Sequence, residues 1–335
     1  MASEDIKDEF YLMFERSVVP KIEIVKKNPP KNIGIVITYV PQKTEENRRP
    51  LEIAQKISKN YSAKLFVFAW EKYYTDLITL INRAEAQQGL LVENIIKYFQ
   101  IKDIISVQSP KPKDIHEQID KLMKESGSSM DFLFNQIMEK KLDYLCIPTP
   151  LTKTEQDSKD TLGEEIEVLL RKSAKSFPVS LIPRNISGDM NTVVVIVHPD
   201  TVIPITNSIL QLYDDNTKIV LCAVLDPKIV ELYHLVQTEK KPDPNLSLDS
   251  IKEKLQRRLK EFMEQIIATV RGNVKNIETE IVTGSLGISI QNLVDKYNAG
   301  SVLVYSHSNQ DYLLDIDVDI IGRMVSKTMI TIVWE

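Results

Sequence analysis

Glycine is scarce in this chain, at 10 of 335 residues, where globular proteins use about 7%. Glycine-rich turns let backbone N–H groups approach phosphates closely. The sequence contains no Walker loop and no dinucleotide fingerprint. A nucleophile elbow and a Cys–His pairing are missing as well. The sequence therefore offers none of these common motifs of nucleotide-dependent and nucleophilic enzymes.

Cysteine and long apolar runs are also rare or absent. The two cysteines, Cys146 and Cys222, each lie inside an apolar run, so we expect buried free thiols rather than a disulfide or a reactive site. No run reaches the length of about 18 apolar residues that a membrane helix needs. The amino terminus, MASEDIKDEF, is acidic where a signal peptide would be basic and then apolar. The net charge of -5 argues against a nucleic-acid partner. We expect a soluble, cytoplasmic protein without membrane insertion.

Four hydrophobic segments recur in one order, which makes an internal repeat the most informative feature of the sequence. NIGIVITYVP and LDYLCIPTP in the amino-terminal half match NTVVVIVHPD and SVLVYSHSN in the carboxyl-terminal half. KLFVFAW likewise matches KIVLCAV, and PVSLIP matches ITIVWE. The members of each pair lie roughly 155 residues apart, which fits the duplication of a domain of ordinary size.

Each repeat alternates short β-rich runs with helical periodicity, a pattern typical of parallel sheets covered by helices on both faces. We predict an α/β protein of two tandem, doubly wound, five-stranded parallel-sheet domains, at residues 31–186 and 190–335. Ser187-Gly188-Asp189 is the expected linker, and residues 1–30 form an extension outside the repeat. The predicted strands are 32–39, 63–70, 102–108, 142–147 and 178–183 in the first repeat, and 192–198, 217–225, 276–283, 301–306 and 329–334 in the second.

Helical periodicity is clearest at residues 248–271, where apolar side chains recur every three or four positions. A helix at 286–297 is expected after the Gly284-Ser285 turn. A further amphipathic helix is predicted around residues 115–123 of the first repeat. In the extension, a helix at 5–16 is expected to dock on either domain or on a partner chain.

The stretch IVTGSLGISIQNLVDKYNAGSVLVYSHSN, followed after a loop by IIGRMVSKTMITIVW, resembles the universal stress protein domain from its third strand to its last. MDFLFNQIMEKKLDYLCIPTP and GEEIEVLLRKSAKSFPVSLIP resemble the same pattern in the first half, so the resemblance covers most of residues 31–335. It implies an adenine nucleotide alpha hydrolase-like fold and two domains packed as a pseudo-dimer. It further implies pairing through the final strands, within the chain or in a homodimer.

Members of this family that bind ATP resemble one another in a signature after the fourth strand: Gly, two residues, Gly, nine residues, then Gly-Ser or Gly-Thr. Residues 306–319 of the second repeat contain no glycine and four aspartates. The first repeat has a single Gly163 there, followed by Glu164 instead of Ser or Thr. Carboxylates repel a triphosphate unless a metal intervenes. The aspartate run also lacks the turn glycine and the final Glu of a calcium loop, which favours an exposed acidic segment.

Polar residues that follow the predicted first and fourth strands are the candidates for a ligand cleft, because ligands of doubly wound sheets bind at the carboxyl edge. In the second repeat these candidates, together with the turn glycine after the third strand, are His198, Asp200, Gly284, Ser306 and His307. The weaker candidates in the first repeat are Thr38, Tyr39, Thr149 and Gly163. The alternative for all of them is that they are loop-end residues facing solvent or the other domain.

The sequence leaves three candidate functions. The leading expectation is a non-enzymatic, tandem universal-stress-like protein that acts in stress response or signalling through contacts with protein partners, with no catalytic residue, cofactor or metal assigned. A second is a sensor that binds ATP or AMP, with or without Mg²⁺, in a relaxed site of the second domain. A third is a weak metal-dependent phosphohydrolase that uses His198, Asp200 and His307.

Overall fold

The computed structural model describes residues 28–38, 48–70, 104–106, 129–149, 164–173, 176–199, 201–240, 247–306 and 327–334. The chain divides into two compact units. The N-terminal unit is built mainly from Pro30–Asn185, and the C-terminal unit mainly from Ile186–Met324 and Thr328–Glu335. None of the helices in the described ranges combines the length and the apolarity that a membrane crossing requires.

The N-terminal unit contains a parallel sheet with the strand order β3-β2-β1-β4-β5. Its strands are β1 (Asn32–Thr38), β2 (Lys64–Trp70), β3 (Ile104–Ser106), β4 (Tyr144–Thr149) and β5 (Val179–Pro183). Its described helices are α1 (Arg48–Asn60), α2 (Ser129–Glu139) and α3 (Glu164–Ser173).

The C-terminal unit repeats this order as β8-β7-β6-β9-β10, again with parallel pairing throughout. Its strands are β6 (Asp189–Ile196), β7 (Lys218–Leu225), β8 (Asn276–Thr283), β9 (Ala299–Tyr305) and β10 (Met329–Val333). Its described helices are α4 (Val202–Leu212), α5 (Pro227–Lys240), α6 (Leu248–Val270) and α7 (Leu286–Tyr297). In both units the first strand of the repeat lies at the centre of the five strands, and the strand order runs outward from it in both directions. The predicted fold class, a doubly wound parallel sheet in each half, is confirmed.

Continuous hydrophobic runs form the central strands because both faces of a parallel sheet are covered by helices. Val193, Val194 and Val195 of β6 are almost fully buried, as is every residue of β4. By contrast, every residue of β8 is exposed or half-buried. Helix α6 presents its predicted apolar stripe to the core, with Phe262 fully buried. A reciprocal Ser247–Ser250 capping box sets the start of this helix.

Two strand boundaries differ from the prediction in an informative way. Strand β4 extends to Thr149, because Pro148 and Thr149 continue the register with β5. Strand β6 begins at Asp189, inside the predicted linker, because the Asp189 N–H donates to the carbonyl of Asn298 at 2.7 Å. The helices predicted at residues 5–16 and 115–123 lie outside the described residues.

Candidate functional site

The carboxyl ends of β6 and β9 form the candidate cleft of the C-terminal unit. These strands pair in parallel, with Val194 opposite Val302, so they end at the same edge of the sheet. His198 follows β6 and Ser306 follows β9, which places both residues at that edge. Strands β7 and β10 extend the sheet in opposite directions from this pair. This arrangement is the topological switch point at which doubly wound folds bind ligands.

A closed set of hydrogen bonds fills the turn after β6. The His198 N–H donates to Thr201 Oγ1 at 3.0 Å, and the Thr201 hydroxyl donates to the His198 carbonyl at 3.0 Å. The Thr201 N–H donates to the same carbonyl at 3.1 Å. Thr201 is 1% exposed and stands at the N-cap of α4, where its side chain makes no capping bond. The Thr201 hydroxyl therefore forms its hydrogen bonds within the turn and does not cap α4.

The backbone of the strand ends beside this turn is also bonded within the protein. The Ser306 N–H donates to the Val333 carbonyl at 2.9 Å, and Ser306 itself is buried. The Val197 N–H donates to the Cys222 carbonyl at 2.8 Å, which continues the pairing of β6 with β7. These N–H groups, which point along the sheet, are not directed at a ligand.

Gly284 lies at the end of β8, two strands away from β6. Its φ of +156° is rarely adopted by residues with a side chain, and its N–H donates to the Leu225 carbonyl at 3.2 Å. A Cβ at this position would lie 2.9 Å from Ser289 Oγ. The turn that joins β8 to α7 therefore explains why glycine occupies this position. The structure does not bring it next to His198 and Ser306 in the sheet order.

In the N-terminal unit, Thr38 ends β1 and Thr149 ends β4. These two strands are parallel neighbours, so the two threonines lie at one sheet edge, as His198 and Ser306 do in the other unit. Thr149 is 1% exposed. The other predicted site residues, Tyr39, Gly163, Asp200 and His307, lie outside the described residues.

Sequence patterns did not reveal a charged cluster on β8. Lys296 Nζ lies 2.7 Å from both carboxylate oxygens of Glu280, and the Tyr297 hydroxyl donates to Glu280 Oε2 at 2.6 Å. Partial burial raises the pKa of Glu280, but the hydrogen bonds from Lys296 and Tyr297 outweigh it and leave this pKa lowered. Lys218 Nζ lies 5.1 Å from the centre of the Tyr297 ring, in cation–π contact. Glu278 and Glu280, two residues apart on β8, were the signal available in the sequence.

This cluster lies away from the candidate cleft. Lys296 and Tyr297 end α7, which begins beside the carboxyl end of β8 and runs back toward its amino end. The cluster therefore joins the end of α7, which packs on β9, β6 and β7, to the edge strand β8. Across the described ranges, no group of three His, Cys, Asp or Glu side chains is arranged to hold a metal ion.

Solved structures of other proteins resemble this fold. A putative universal stress protein from Pseudomonas aeruginosa UCBPP-PA14 superposes with a TM-score of 0.54 at 11% identity, covering 91% of this chain and 93% of that one. A universal stress protein from Archaeoglobus fulgidus DSM 4304 superposes with a TM-score of 0.52 at 11% identity, covering 89% of this chain and 97% of that one. The chain has the fold of the universal stress proteins.

No family model matches the sequence, and no curated protein matches it either. At 11% identity the universal stress protein likeness extends to the fold and not to the chemistry of the cleft.

Proposed function

We propose that this protein is a non-enzymatic, tandem universal stress protein that acts in stress response or signalling through contacts with other proteins. The observation that supports this proposal is the closed turn after β6, in which Thr201 occupies both backbone polar groups of His198. A phosphate site at this edge would require backbone N–H groups directed at the ligand. Here the N–H groups of His198 and Ser306 already donate within the protein.

Electrostatics supports the same proposal. Residues 306–319, which follow β9, contain four aspartates and no glycine. Two like charges 4 Å apart repel by about 4 kcal/mol at the effective dielectric of a protein surface, and by about 1 kcal/mol in bulk water. A triphosphate held beside this segment would need a cation to offset that repulsion. We therefore propose that the cleft is no longer a typical ATP site.

Nucleotide binding remains the second candidate, because His198 and Ser306 lie together at the switch point. On that alternative the C-terminal unit binds ATP or AMP in a relaxed site, with Mg²⁺ offsetting the aspartates. The phosphohydrolase alternative adds a metal and uses His198 with Asp200 and His307. The packing of the two domains as a pseudo-dimer, and a homodimer through the final strands, likewise stay predictions.

Thermal denaturation with ATP or AMP, each with and without Mg²⁺, tests the proposal directly. A ligand at 100 times its Kd adds about 2.7 kcal/mol to the free energy of unfolding. We expect no shift of the melting temperature and no release of phosphate. A shift that His198→Ala abolishes and His234→Ala preserves would replace the proposal with nucleotide binding. His234 is a matched control because it lies two turns into α5, away from the end of β6.

Protein contact is tested by recovering the tagged protein from stressed and unstressed cells under cross-linking. We expect the set of partners to change with stress and to be the same for the parent and for His198→Ala. A partner set that His198→Ala disrupts would mean that the cleft carries the function. No specific partner under either condition would contradict the proposal, whatever the outcome of the nucleotide experiment.

A further inference from the structure

Strand β8 lies at an edge of the sheet in the C-terminal unit. It pairs with β7 in an unbroken register, from Asn276 opposite Lys218 to Thr283 opposite Leu225. In the part of the chain that the structure describes, no strand pairs with the other side of β8. An edge strand presents a row of backbone N–H and C=O groups that have no strand partner, and such a row is a template for a further strand.

The backbone groups of alternate residues of β8 point away from β7. The Gly284 N–H donates to the Leu225 carbonyl at 3.2 Å, just beyond the end of the strand. In a parallel ladder every second residue bonds to a given neighbour, so the even-numbered residues of β8 bond to β7. The outward set consists of Ile277, Thr279, Ile281 and Thr283. All four are exposed or half-buried, so another chain can reach their backbone.

Strand β8 lacks the features that usually protect an edge. Natural edge strands are short, are bent by bulges, or carry proline or outward lysine. The β8 sequence, NIETEIVT, has neither proline nor lysine, and its register with β7 does not shift. Most of its residues are β-branched, which favours strand pairing. Its two charged residues, Glu278 and Glu280, bond within the unit to Lys218 at 2.8 Å and to Lys296 at 2.7 Å.

The charge pattern of β8 does not suit a second copy of this chain. Residues directly opposite each other in an antiparallel pair share a face of the sheet. A two-fold related β8 centred on Thr279 sets Glu278 opposite Glu280, and one centred on Glu280 sets this residue opposite its own copy. Like charges directly opposite destabilise a strand pair. The Glu278 side chain is 46% exposed despite its ion pair. The pattern therefore favours a strand with basic residues across from the two glutamates.

We propose that the free edge of β8 is a docking surface on which a partner protein adds an extended segment as a further strand. In this segment basic residues alternate with β-branched or apolar ones. The basic residues share the face of Glu278 and Glu280, and the others share the face of Ile277, Thr279 and Ile281. This inference rests on the proposed function, because it gives the proposed protein contacts a surface and a kind of partner.

Titration of the full chain with a labelled peptide of alternating lysine and valine, as long as β8, tests the docking surface by fluorescence anisotropy. We expect saturable binding, and binding about tenfold weaker or more when glutamate replaces lysine in the peptide. N-methylation distinguishes strand addition from charge attraction alone. Methylation of one set of residues, either the lysines or the valines, removes the N–H groups that bond to β8 and should abolish binding. Methylation of the other set should preserve it.

Variants of β8 test the same surface from the side of the protein. Thr279→Pro removes an outward N–H and no bond to β7, and proline is tolerated at such edge positions. Thr279→Ala is the matched control, because it changes the same side chain and keeps the N–H. We expect Thr279→Pro to bind the lysine–valine peptide about tenfold more weakly or worse, and Thr279→Ala to bind it as the parent does. Glu278→Lys should weaken binding of this peptide and strengthen that of the glutamate–valine peptide.

Four results would overturn the docking surface. They are no saturable binding, equal loss of binding for the two methylated peptides, equal binding by Thr279→Pro and Thr279→Ala, and a parent dimer in light scattering that Thr279→Pro dissociates. The last result would place a second copy on the edge. If Thr279→Pro unfolds the unit, the two methylated peptides decide on the parent protein. Failure of peptide binding would leave the partners recovered from cells unchanged, so this inference and the proposed function can fail separately.

Discussion

Replacing Gly188 by alanine tests how the C-terminal unit begins. Gly188 has a φ of +100°, and a Cβ there would lie 2.6 Å from the carbonyl oxygen and 2.7 Å from the carbonyl carbon of Ala299. Gly300 faces the same junction, since a Cβ on it would lie 2.8 Å from the backbone of Asp189. The first residues of β6 and β9 therefore approach each other closely, backbone to backbone. Neither obstacle is the end of a flexible side chain, so neither can swing aside.

The expected cost of Gly188→Ala follows from two penalties and one smaller gain. Placing alanine at a strongly positive φ costs about 1–2 kcal/mol. Forcing a methyl group against backbone atoms costs about 1–3 kcal/mol. The lower entropy of the unfolded alanine chain returns about 0.4–1 kcal/mol. We expect a net loss of about 1–5 kcal/mol in the free energy of unfolding of the C-terminal unit.

Gly272→Ala is the matched control, because a Cβ at Gly272 would have no atom within 4 Å and the backbone is not at positive φ. Its expected effect is neutral or stabilising, by about 0.4–1 kcal/mol. Urea unfolding in a Trp70→Phe background makes the fluorescence of buried Trp334 report the C-terminal unit alone. A loss below about 0.5 kcal/mol in Gly188→Ala, or equal effects of the two substitutions, would refute the close approach of β6 and β9.

Two further predictions concern titratable groups. Burial, with Glu280 as a smaller cause, raises the pKa of the Cys222 thiol to about 12, and burial likewise raises the pKa of Cys146. Neither thiol should react with a disulfide reagent at pH 8 in the native protein, and both should react in denaturant; fast native labelling would show that these strands open. For Glu280, burial raises the pKa and the bonds from Lys296 and Tyr297 lower it further than burial raises it. The folded pKa thus lies below the unfolded value of about 4.3. The carboxylate contributes stability above that value, and the contribution is lost as pH falls through the folded pKa. Glu280→Gln should therefore be less stable than the parent at pH 7 and approach it below about pH 4 in urea titrations; a difference between the two proteins that does not change with pH would contradict the assignment.

The fold was predictable because its signals are local. Val193–Val197 is continuously apolar, and only a strand covered on both faces needs that pattern. The periodic stripe of α6 placed that helix to within one residue of its observed end. The repeat indicated in addition that the two halves share one topology. The boundary at β6 was missed because Asp189 joins the sheet through a bond to Asn298, far away in sequence.

The candidate cleft was only partly predictable. The positions of His198 and Ser306 followed from the strand ends, because neighbouring parallel strands end at one edge. Thr201 was overlooked, although Ser or Thr before a helix is a familiar N-cap signal. Its hydroxyl bonds to the turn rather than to the helix, and the choice between two nearby partners depends on backbone geometry.

The sequence by itself determined the duplicated α/β scaffold and the absence of a glycine-rich phosphate-binding signature, because hydrophobic period and residue identity are properties of the chain alone. The tertiary structure decided which polar groups bond to one another within the protein. Glu280 meets Lys296 and Tyr297 only because the chain turns back after β8 and the end of α7 lies beside that strand. Gln211 likewise meets Asn28 across 183 positions of sequence. Such pairings depend on where distant segments meet in space, and no local pattern encodes that meeting.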